Sequence, residues 1–137
     1  MPGQAGLPDV YAAQLEVITQ KLMAAEPQAK LLFALTSPYM CSASQDGCVV
    51  NLNNQAAAIM AKYKIPTINL HDAIVDHCGQ PGNGSSSRCW GLQNCFCPRC
   101  AAGGPGQGYD WLATNTIIPG IVKLLPVLEP YAVGSRE

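Results

Sequence analysis

Two short apolar runs, AKLLFALTS at 29–37 and IPTINL at 65–70, bracket a segment of helical spacing, and this order limits the fold more than any other feature of the chain. The first run is continuous and stops at Pro38, which suits a strand buried on both faces better than a helix of that length. The second begins at Pro66 after NNQAAAIMAKYK, a helix expected to open at Asn51 with Leu52, Ala56, Ile59, Met60 and Tyr63 on its core face. Upstream, Asp9 is expected to cap a helix over 10–25 whose Val10, Val17, Ile18 and Leu22 share a face, closed by Pro27. Helix, strand, helix, strand is the order of a parallel sheet, because parallel neighbours need a crossover and a helix is the usual one. The expectation is an α/β three-layer sandwich, one domain over 1–137 or part of one. Downstream, GYDWLATNTIIPGIVKLLPVL has helical spacing through Trp111, Leu112, Ile118, Ile121, Val122 and Leu125, with a bend at Pro119.

Composition closes several doors. With 48% apolar and 12% charged residues, 137 residues bury one modest core. The net charge is -1 and the 8 Lys and Arg residues are scattered, so no basic stripe follows phosphates and nucleic acid is not an expected partner. No apolar run approaches the roughly 20 residues of a membrane span, and MPGQAGLPDV lacks the regions of a secretory signal. Yet seven cysteines, with a glycosylation sequon at Asn83, Gly84 and Ser85, point to an oxidising secretory compartment. A missing N-terminus reconciles the two.

The cysteines Cys41, Cys48, Cys78, Cys89, Cys95, Cys97 and Cys100 are all expected in loops, five of them in a cysteine-rich segment at 78–108. Three chemistries compete there. Cys97 and Cys100 form a C-x-x-C half site for zinc, which Cys89, Cys95, Cys78 or His77 would have to complete. A redox role for CPRC needs a helix N-terminus after a strand, where a glycine-rich loop follows instead. Disulfides account best for the set: Cys41 and Cys48 bracket a six-residue loop and are spaced to pair, the others staple the long segment, and an odd count leaves one thiol over. No cofactor is expected, with zinc as the alternative.

AKLLFALTSPYMC, VVNLNNQAAAIMAKYKIPTINLHDAIV and GYDWLATNTIIPGIVKLL, taken together, resemble the C-terminal half of an SGNH (GDSL-type) esterase or lipase-like hydrolase over residues 10–125. The resemblance implies a parallel sandwich of SGNH or flavodoxin-like type, incomplete at its N-terminus, and hydrolysis of acyl or acetyl esters of small molecules or glycans. The family's chemistry needs a Gly-Asp-Ser nucleophile, glycine and asparagine oxyanion donors, and a D-x-x-H block before the GY-x-x-LA helix. Gly-Asp-Ser and G-x-N-D are absent, and the family pattern places Arg99 where the histidine would stand and Phe96 near the aspartate. Arginine stays protonated and phenylalanine orients no imidazole. Of the two histidines, His71 beside Asp72 is read as a loop or packing residue, while His77 with Asp76 or Asp72 is the remaining catalytic candidate. The implied function is a hydrolase portion inactive in isolation, its strand edge and Leu31, Phe33 and Leu35 short of neighbours. The alternative is a non-enzymatic, disulfide-braced or zinc-binding module that uses the 39–49 and 80–108 loops.

Overall fold

The computed structural model describes residues 7–40, 42–82 and 111–125. Cys41, Cys89, Cys95, Cys97, Cys100, Arg99, Phe96 and the sequon at Asn83 lie outside the described residues, so the zinc and redox readings of Cys97 and Cys100 and the disulfide pairings among these five cysteines meet no geometry here.

The elements run α1 (Pro8–Ala25), β1 (Phe33–Ala34), α2 (Ala43–Lys62), β2 (Thr67–Ile68) and α3 (Leu70–Cys78), then a π-helical turn (Ala113–Ile117) that leads into α4 (Ile118–Val122). Among the described residues the expected three-layer parallel sandwich is not found. Among the described residues helix makes up 66% and strand 4%, and the sheet there is a single parallel pair with Phe33 opposite Thr67 and Ala34 opposite Ile68. Two side chains shorten the ladder. Pro66 has no N–H to give, and just past β1 the Asn53 side chain takes over the Thr36 backbone, accepting its N–H and donating to its carbonyl at 2.8 Å each. What survives of the expected topology is one β1–α2–β2 crossover.

Helix α1 begins two residues before the expected start, with Pro8 in its first turn, where a missing N–H costs nothing, and Asp9 beside it against the positive end of the helix dipole. Its expected core face is turned outward: Val10, Val17, Ile18 and Leu22 are 44%, 48%, 53% and 50% exposed. Ala12 and Leu15 pack instead, against Ile59, Met60 and Ile65. Polar bonds fix that rotation. Glu16 accepts from Lys62 and from the Tyr63 hydroxyl, which in turn accepts from Gln20 at 2.7 Å.

Helix α2 starts at Ala43 rather than Asn51, because the Ser42 hydroxyl caps it by accepting the Gln45 N–H at 3.3 Å. Cys48 therefore sits in a helix and carries a free thiol, so the pairing expected with Cys41 is not made. The expected core face of this helix holds for Ala56, Ile59 and Met60, which are buried. Leu35 is buried as well, and Leu31 and Phe33 pack on the Ile59 cluster, so these three are not left short of neighbours.

In the last helical stretch only Leu112 of the expected face is buried, while Ile118, Ile121, Val122 and Leu125 are exposed. Pro119 explains the π turn before it. Its ring crowds the carbonyl four residues back, and widening the turn lets the Ile118 N–H reach Ala113 instead. Gly120 then approaches the sheet so closely that a β-carbon there would stand 2.6 and 2.7 Å from the Ile68 side chain. Ile68 is buried and has little room to yield. Gly120→Val is expected to cost about 2 kcal/mol in urea unfolding; an unchanged midpoint would mean that α4 stands further from the sheet than described.

Candidate functional site

Because α2 crosses from β1 to β2, the residues that follow the two strands meet at one end of the sheet. Leu35 follows β1 and Asn69 follows β2, and between them lies a crevice of about 160 Å³ lined by Asn53, Asn54, Asn69, His71 and Asp72. Asn69 caps α3 by accepting the Asp72 N–H at 3.0 Å, and its amide donates to the Asp72 carboxylate at 2.7 Å. That cap turns the start of α3 so that His71 points back at the first turn of α2.

There His71 meets Asp46. Its Nε2 lies 3.0 Å from Asp46 Oδ2 and its Nδ1 lies 3.0 Å from Asp72 Oδ1. Asp46 is 6% exposed and uses its other oxygen to accept the Tyr39 N–H at 2.7 Å. Two carboxylates face one ring and each takes a donor, so below its folded pKa both ring nitrogens carry hydrogen and the ring is an imidazolium. Burial works against that charge, but the hydrogen bonds and charges of Asp46 and Asp72 outweigh it and raise the His71 pKa above its ordinary value. A ring held this way has no lone pair with which to take a proton. It serves as a clamp that joins the start of α2, the strand of chain at Tyr39 and α3.

The catalytic candidates, all on α3, make no hydrogen bond to one another among the described residues. His77, in the last turn of α3, stacks on Trp111 with ring centres 3.9 Å apart and planes 9° from parallel. No bond to Asp76 or Asp72 is made by its ring among the described residues. Asp72 belongs to the clamp on His71, and Asp76 is exposed on α3. Cys78 ends α3, 5% exposed and disulfide-bonded. Among the described residues no group of three or more His, Cys, Asp and Glu is arranged to hold a metal. No described helix is long and apolar enough to cross a membrane.

Asp46 is the residue that sequence reasoning missed. It stood in a polar stretch read as a loop, and the one available signal was Ser42 four residues earlier, a cap that would have placed Asp46 in a first helical turn. Its pairing with a histidine 25 residues away leaves no local pattern.

Fold and clamp together make the described residues a largely helical unit built around one parallel β–α–β crossover. No protein-family model, curated protein or solved structure matches the chain.

Proposed function

We propose that the chain supplies the non-nucleophilic portion of an ester hydrolase acting on acyl or acetyl esters of small molecules or glycans, and that alone it is inactive. The seat of the polar side chains carries the reading. Asn53, Asn69, His71 and Asp72 gather at the carboxyl ends of two parallel strands, where open α/β sheets hold their ligands. Inactivity alone follows from the imidazoles: His71 is engaged at both nitrogens and His77 is stacked on Trp111. A serine hydroxyl remains a poor nucleophile until a base removes its proton. The disulfide at Cys78 supports an oxidising, secretory setting.

The second reading is a non-enzymatic module on the same crossover, favoured by the outward apolar face of α1. One experiment separates the two. The protein is isolated from its own cells under native conditions, weighed intact, and assayed for hydrolysis of p-nitrophenyl acetate and acetylated oligosaccharide. Ester hydrolysis that travels with a mass above 14.5 kDa, or with a second polypeptide, is the expected result. A silent 14.5 kDa species with no companion would overturn it in favour of the module. Hydrolysis by the isolated chain would overturn the claim of inactivity.

A further inference from the structure

The free side of β1 shows what kind of partner the outward face of α1 fits. On its paired side, Phe33 donates its N–H to Pro66 at 3.0 Å and Leu35 donates to Ile68 at 2.9 Å. Backbone groups alternate along a strand, so Leu32 and Ala34 direct theirs to the opposite edge, where no described residue bonds to them. An apolar groove of about 120 Å³ opens between α1 and this strand, lined by Leu15, Ile18, Leu22, Leu32 and Phe33. It shares Leu31 and Ile65 with a larger groove of about 490 Å³ at the start of the strand, lined by two cationic side chains, Lys30 and Lys64, against one carboxylate, Glu26. Lys30 donates to the Leu124 carbonyl, and Lys64 has no ion-pair partner among the described residues.

We infer that the β1 edge and the groove beside it are a docking site for an extended segment of another polypeptide, apolar at alternate positions and acidic at the end that meets Lys30 and Lys64. Only an extended chain offers N–H and C=O groups at the spacing of Leu32 and Ala34. Alternate side chains of such a segment point to one side, into the groove against Ile18 and Leu22, and the lysines select an acidic end. The inference goes beyond the hydrolase reading and stands without it, since peptide binding neither requires nor reports ester hydrolysis.

A fluorescein-labelled octapeptide of alternating valine and threonine, ending in two aspartates, tests it by anisotropy on the full chain. Saturable binding is expected, weakened about fivefold by Ala34→Pro, which removes one outward N–H and leaves the Phe33 and Leu35 bonds in place. Ile18→Asp, at a position 53% exposed and therefore tolerant of charge, is expected to weaken it about tenfold. N-methylation of alternate peptide amides, or exchange of the aspartates for lysines, should weaken it as well. If Ala34→Pro fails to melt cooperatively, Ile18→Asp and the methylated peptide decide. No saturable binding, or binding indifferent to Ile18→Asp and to methylation, would overturn the inference. So would self-association through the same face, seen as a dimer in sedimentation that Ile18→Asp dissolves.

Discussion

Asp46→Ala is expected to lower the free energy of unfolding by about 3 kcal/mol, because it strands a half-buried imidazolium and takes the acceptor from the Tyr39 N–H in one step. Asp46→Asn keeps an acceptor of nearly the same shape and should cost about half as much. The pH dependence gives the sharper test. His71 is raised in the folded protein by its two carboxylates, so its contribution is fully present below the unfolded value of about 6.5 and is lost as pH rises through the folded pKa. Urea midpoints of the unsubstituted protein should therefore fall as pH climbs through that window, and those of Asp46→Ala should fall less. Equal pH slopes in the two proteins would mean that His71 is not held as a cation between Asp46 and Asp72.

The same clamp explains why the fold and the site were legible to different depths. Helix α2 was visible from Asn51 onward because Ala56, Ile59 and Met60 repeat at helical spacing. Its first two turns are hidden by Ser44, Asp46, Gly47 and Cys48, residue types that also make loops, and Ser42 alone marks the true start. The strands were foreseen in place and overestimated in length, since an apolar run records burial and not who supplies the hydrogen bonds. At Thr36 that supplier is the amide of Asn53, 17 residues away. Helix α1 is the instructive reversal. Its periodic apolar face exists as read, yet the chain packs on Ala12 and Leu15, because Glu16, Lys62 and Tyr63 set the rotation through bonds that no hydrophobic pattern contains. Helix α3 has no counterpart in the sequence pattern: nine residues are too few to establish a period, and its cap Asn69 falls inside IPTINL, the run expected as a strand.

Ile74→Ala should produce a loss of similar size, about 3 kcal/mol, by a different mechanism. Ile74 is 1% exposed and packs with Met40, Cys78 and Leu112, with Leu70, Trp111 and Ile117 around them. This cluster holds the 111–125 stretch to the rest of the protein from one side, as Gly120 against Ile68 does from the other. Deleting three carbons removes their transfer free energy and leaves a cavity, while Ile74→Val should cost only about 1 kcal/mol. The stacked pair of His77 and Trp111 lies at the margin of the same cluster, so His77→Ala should cost about 1 kcal/mol, much less than the loss of Ile74. If His77→Ala were the costlier of the two, the stack and not the apolar cluster would be what fastens the last helix. The ranking of these two variants by urea midpoint thus reports whether His77 is held mainly as a packing surface, which is the role that leaves it without a carboxylate partner.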